Sequence, residues 1–248
     1  MTALPDRRSF LARSLLAAPA LAAASTVETE SAGRPLNVVC VGGHPDDPES
    51  GCGGTLALLA AAGHRVSIVY LTRGERGIEG KSLDEAARIR TAEAQRACEI
   101  LKAIPVFAGQ IDGATELNAD RVRGFIELLT SERPDIVLTH WPVDTHMDHQ
   151  VASLLAFRAW LNARQSFSLF YFEVNAGEQT RLFMPSDYVD ITPVRDQKKR
   201  ALFAHVSQDG EAIYRDHHGP MEVFRGREIG VAAAEAFVHA ARSRLPGL

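Results

Sequence analysis

Apolar residues along this chain follow two rhythms. Short continuous runs occur at Leu36 to Val41, Arg65 to Leu71, Pro105 to Ala108, Ile136 to Leu138 and Phe167 to Val174. The first is Val-rich and unbroken, as expected of a strand covered on both faces. Between the runs lie segments of helical period. Ser50 to Ala62 is rich in Ala and Leu and stops at Gly63; Leu83 to Ala103 places Ala86, Ile89, Ala97, Ile100 and Leu101 at helical spacing. Arg121 to Ser131 stops before Pro134, and Val151 to Leu161 precedes the fifth run. Strands alternating with helices predict a single-domain, Rossmann-like α/β fold, a doubly wound mostly parallel sheet with helices on both faces. Beyond Asn175 the pattern loosens. It predicts a strand near Tyr188 to Ile191, a helix from Val194 to His205 and a final helix from Ala232 to Arg242. With no repeat or linker, residues 34–248 read as one domain.

This order locates the chemistry. Doubly wound sheets bind ligands beyond the carboxyl ends of their strands, where strand order reverses, here between the first and fourth strands. The first strand runs into Gly43-His44-Pro45-Asp46-Asp47-Pro48-Glu49. The fourth runs into His140, Asp144, His146, Asp148 and His149. Two polar clusters far apart in sequence are thus predicted to meet in one crevice.

Composition narrows the partners. The 248 residues carry a formal net charge of −4 with no basic stripe, so nucleic acid is not an expected partner. No apolar stretch after the N-terminal segment is long enough to span a bilayer. Residues 1–25 read differently: Arg7-Arg8 precedes an Ala/Leu-rich run ending in small residues. That is the form of a cleaved twin-arginine signal. It implies passage through the twin-arginine export machinery to the periplasm or the extracellular space. Cys40, Cys52 and Cys98 are odd in number and lack CxxC spacing. Core packing accounts for Cys40 and Cys98.

A catalytic zinc uses three nitrogen or oxygen ligands and leaves a position for water. His44 and a carboxylate of the adjacent Asp46–Asp47 pair can face one ion, with His149 as the third ligand. The other Asp then addresses the attacking water as general base. His146 can protonate a leaving amine or stabilise an oxyanion. Asp144 and Asp148 suit ring N–H groups as acceptors. Arg73, Glu75 and Arg76 follow the second strand and either bind substrate or form a solvated turn. His205 either reaches the pocket or only ends a helix. His217 and His218 read as surface residues of a polar loop.

On these residues the chain resembles the zinc-dependent de-N-acetylase (LmbE-like, PIG-L) family. That family includes N-acetylglucosaminyl-phosphatidylinositol deacetylases and mycothiol-pathway deacetylases. The motifs are His44-Pro45-Asp46-Asp47-Pro48-Glu49, then Thr72-Arg73-Gly74-Glu75 with Gly77 and Gly80, then His140 to His149. A weaker one is His205-Val206-Ser207-Gln208. The resemblance implies His44, Asp47 and His149 as ligands of one Zn2+, or another divalent ion such as Fe2+. It implies Asp46 as general base, His146 as electrophilic or acid residue, and an N-acetylglucosamine-type substrate. Gly43 departs from a common Ala, and Pro48 stands between the Asp pair and Glu49. Two rival readings remain: a non-catalytic carbohydrate-binding protein of this fold, and a metal-dependent hydrolase of another bond. A magnesium phosphoesterase is disfavoured by the histidines, because magnesium prefers oxygen ligands.

Overall fold

The computed structural model describes residues 34–240, so the twin-arginine segment lies outside the described residues. The elements run β1 Asn37–Gly42, α1 Asp47–Ala61, β2 Arg65–Tyr70, α2 Leu83–Leu101, β3 Ile104–Phe107, α3 Ala119–Ser131, β4 Ile136–His140, α4 Met147–Asn162 and β5 Ser168–Phe172. Then follow β6 Asp187–Asp190, α5 Arg195–Phe203, the short α6 Gly210–Ile213, a π turn Tyr214–His218, α7 Gly219–Ile229 and β7 Ala234–His239.

The sheet order is β3-β2-β1-β4-β5-β7-β6. The first five strands pair in parallel, while β7 runs antiparallel to both β5 and β6. β1 occupies the reversal point between β2 and β4. Its alternation fills both layers: Val38 and Cys40 pack into one core, Val39 and Val41 into the other. Fully burying each such side chain contributes about 1.5–3 kcal/mol. The Sγ atoms of Cys40 and Cys52 lie 3.4 Å apart, and both thiols are free.

The final helix expected from Ala232 to Arg242 is a strand, β7, over its described part. Its Ala-rich run favours helix only weakly, and tertiary context overrides propensity. Gly226 and Gly230 close α7, and the six residues of β7 fill the gap between β5 and β6. Glu235 on this strand carries a structural charge. α1 is broken at Cys52 (φ −145°), which releases the backbone donors beyond the break. The Glu235 carboxylate accepts Gly54 N–H (2.9 Å), Thr55 N–H (2.7 Å) and the Thr55 hydroxyl (2.6 Å). It also meets the fully buried Lys198 ammonium at 2.7 Å, and Glu222 meets the same ammonium at 2.9 Å. Burial opposes the charge on Lys198, but the two carboxylates outweigh it and keep the amine protonated. Removing Glu235 leaves Lys198 with Glu222 alone and strips the buried Gly54 and Thr55 donors of their acceptor. Glu235→Ala is expected to lower unfolding free energy by about 3–5 kcal/mol in urea titrations. A loss under about 1 kcal/mol contradicts this account of the tie.

Candidate metal centre

β1 and β4 end side by side, and the two polar clusters meet beyond them. The turn after β1 delivers His44 and Asp46, and α1 opens with Asp47. Asp46 is the N-cap, with φ 114°, a conformation a side-chain-bearing residue adopts at a cost. Its N–H is held by Glu49 Oε2 at 3.2 Å. The turn after β4 ends on His146, the N-cap of α4, so His149 sits in the first turn of that helix. Both helices begin earlier than the apolar pattern shows, because their first turns are polar site residues.

Two ring nitrogens flank one carboxylate oxygen, and His44, His146 and His149 also bring donor atoms within 4.8 Å of one another. Asp47 Oδ2 lies 3.1 Å from His44 Nδ1 and 3.3 Å from His149 Nε2. Tetrahedral ligands at about 2.0–2.1 Å from a zinc ion stand about 3.3 Å apart. Carboxylates also stand at the outward ring nitrogens: His44 Nε2 hydrogen-bonds Asp148 at 3.0 Å, and Asp144 lies 3.2 Å from His149 Nδ1 without bonding geometry. A carboxylate behind an imidazole orients the ring and leaves its other nitrogen available to a cation. Burial opposes charge on both rings, yet Asp112, Asp148 and Asp47 raise His44 well above its ordinary value, while Asp47 and Asp144 raise His149 to about 9. Burial likewise opposes the Asp47 carboxylate, and His149 and His140 outweigh it, holding its carboxyl well below the ordinary range. The cluster is therefore short of positive charge, which a divalent cation supplies. The donor set fits such an ion.

His140 offers Asp47 a second contact at 3.4 Å, but its Nε2 already accepts Gly43 N–H at 3.0 Å. Asp148 is saturated by Gly113 N–H (2.8 Å), the Thr115 hydroxyl (2.6 Å) and His44. Donor atoms of two further groups, Asp47 with His140 and His149, and His44 with Asp112, His146 and Asp148, also lie within 4.8 Å of one another. Gly43 has a steric reason to be bare: a β-carbon there would stand 2.9 Å from His149 Cδ2.

Beside the centre opens a cavity of about 410 Å³, lined by Asp46, His146, Arg76, Arg90, Asp112 and His218 among others. Asp46 Oδ2 is paired with Arg90 Nη2 at 3.2 Å. Burial pushes its carboxyl up to about 6, with Arg90 pulling the other way. His146 is half-buried, and its Nδ1 accepts Asp148 N–H at 3.3 Å. Burial, with the neighbouring His44 and His149, lowers its pKa. The neutral ring with Nδ1 as acceptor carries its proton on Nε2, where it can donate.

Three residues expected at the substrate lie elsewhere. Arg73 is exposed and stacks over Phe107, 5.6 Å from the ring centre. Glu75 is buried and accepts Arg73 N–H (3.2 Å) and Asp112 N–H (3.1 Å), so it braces the rim. His205 is fully buried 3.3 Å from Glu49, beneath the cavity. Arg76 does line the cavity, its Nε donating to Asp112 O at 2.7 Å. In the fourth motif Gln208 reaches the cavity, while Ser207 binds Glu93 on α2.

Three cavity residues escaped the pattern. Asp112, 3.3 Å from His44 Nε2, follows β3 in an Asp-Gly turn, and a strand-end search of that rim would have found it. Arg90 shares a helix face with Ala86, Ala94 and Ala97, and a charge on a buried face is itself a signal. Gly74 (φ 67°) seats it: a β-carbon there would collide with the Arg90 guanidinium. His218, read as a surface residue, is only 2% exposed.

Residues 39–160 match the family described as PIG-L: GlcNAc-PI de-N-acetylase. The diacetylchitobiose deacetylase of Thermococcus kodakarensis is 31% identical over 192 residues, covering 71% of this chain and 72% of that protein. The structure of the conserved protein TT1542 from Thermus thermophilus is 30% identical with TM-score 0.73, covering 86% of this chain and 99% of that one. GalB, the 4-carboxy-2-hydroxymuconate hydratase of Pseudomonas putida KT2440, superposes with TM-score 0.74 at 25% identity over 85% of this chain and 98% of its own.

Proposed function

Because the chain belongs to the PIG-L family of de-N-acetylases, we propose that it hydrolyses the N-acetyl group of an N-acetylglucosamine-type sugar with one zinc ion. The ion is held by His44, Asp47 and His149. The observation that carries the reading is the convergence of His44 Nδ1 and His149 Nε2 on Asp47 Oδ2, with a carboxylate behind each ring. When bound, the ion polarises the acetyl carbonyl and lowers the pKa of water. Asp46 accepts a proton from the water as its oxygen attacks the carbonyl carbon. His146 donates its Nε2–H to the developing oxyanion. The C–N bond then breaks, and Asp46 returns the proton to the departing amine. Acetate and a free amino sugar result. The twin-arginine reading of Arg7-Arg8 adds export to this proposal.

Acetate release from a panel of N-acetylated sugars, run on metal-quantified protein, tests the assignment. The fold also carries a hydratase in GalB, so water addition to an unsaturated tricarboxylic acid such as 4-carboxy-2-hydroxymuconate is the second activity to assay. Acetate release supports the deacetylase, and hydration without acetate release overturns it.

The pH profile follows from Asp46. A base must be ionised, and burial raises this carboxyl to about 6. The neighbouring cation favours the carboxylate, so it moves the value down. Activity is expected to fall with acidification along a limb whose midpoint is at or below about pH 6. A limb centred above about pH 7 contradicts Asp46 as base.

A further inference from the structure

His218 belongs to a wall of the cavity that the mechanism leaves without a role. Two departures from regular helix shape that wall. The chain enters α7 through the π turn, in which Gly219 N–H bonds Tyr214 O. The wider turn re-aims the side chain, and such turns concentrate at functional sites. The second departure is the break in α1 at Cys52. Gly54 N–H, the helical partner of Ser50 O, is taken by Glu235 instead. Ser50 O is thereby freed of its helical donor on the cavity wall that also carries His218. Both Ser50 and His218 line the cavity with Asp46 and His146. Burial, then the nearby Lys198 cation, depresses His218 to about 3, so the ring is neutral. A neutral imidazole carries its proton on one nitrogen and accepts through the other.

We propose that His218 is a substrate-contacting specificity residue, whose unprotonated ring nitrogen accepts a hydrogen bond from a hydroxyl of the sugar bearing the acetamide. This rests on the deacetylase reading and deepens it. The ring recognises a hydroxylated amine product, and it has no part in holding the acetyl half. A polar pocket group that loses its partner discriminates against the analogue lacking it.

The test compares product inhibition in wild type, His218→Phe and His218→Gln, all with metal content measured. One hydrogen bond corresponds to roughly 3–10-fold in affinity. His218→Phe should raise KM for the N-acetyl sugar and Ki for glucosamine by about that factor. Its kcat and its Ki for acetate should stay near wild type. His218→Gln retains a side-chain acceptor and should recover most of the loss. Equal weakening of glucosamine and acetate, or no change in either, overturns the inference while leaving the deacetylase intact. A wild type that releases no acetate and is not inhibited by glucosamine overturns both. If His218→Phe loses its circular dichroism signature, the apolar and more flexible His218→Met carries the same comparison.

Discussion

Replacing Asp46 by alanine lowers kcat by about 10²–10⁴-fold, the range of a lost general base, and leaves one metal ion per chain. The separation of the two effects comes from geometry. Adjacent residues in the turn before α1 send their carboxylates different ways: Asp47 into the histidine cluster, Asp46 to Arg90 at the cavity wall. Asp46 therefore makes no contact that would hold the ion. Its backbone position is guarded by Glu49, which caps the Asp46 N–H, and by Arg90, which also bonds Pro45 O. Asp46→Asn is the sharper control, because it keeps shape and removes basicity. Elemental analysis beside acetate release checks the pair of outcomes. Normal turnover in either variant, or loss of the ion together with the activity, removes Asp46 from the role of base.

Replacing His149 by alanine produces the opposite pattern. The ion is lost, and acetate release falls to background. His149 is 1% exposed, in the first turn of α4, with Nε2 3.3 Å from Asp47 and Nδ1 3.2 Å from Asp144. The obvious substitute is His140, whose ring stacks on His149 with centroids 4.0 Å apart. Its Nε2 is committed to Gly43 N–H, and burial depresses its pKa to about 4. Asp144→Ala should be milder, about 10–100-fold in metal affinity, the usual effect of removing a carboxylate behind a ligating imidazole. Equilibrium dialysis against zinc orders the three proteins: wild type tightest, Asp144→Ala intermediate, His149→Ala weakest. An Asp144 variant weaker than the His149 variant contradicts the assigned roles.

The centre was legible in the sequence for a physical reason. A strand buried on both faces leaves a continuous apolar run, and the residue that ends it marks the crevice. Val38 to Val41 and Ile136 to Leu138 did this for His44 and for the His140 to His149 segment. The C-terminal third was less legible. Ala234 to Ala236 reads as helix by propensity, but it forms an inner strand whose Glu235 is tied to α1 and Lys198. His218 was hidden more deeply, since a π turn carries an apparent surface residue inward. Arg73 and Glu75 misled because sharing the rim with Asp112 does not mean facing the cavity. Their side chains go to Phe107 and to backbone donors.

The central claim is that two neighbouring strand tips grip one cation through His44, Asp47 and His149. Zinc K-edge X-ray absorption on the purified protein tests it most directly. The expected sphere is nitrogen and oxygen donors at about 2.0–2.2 Å with two imidazole signatures and no sulfur. Sulfur scattering at about 2.3 Å, or an unchanged imidazole signature in the His149→Ala protein, would contradict it.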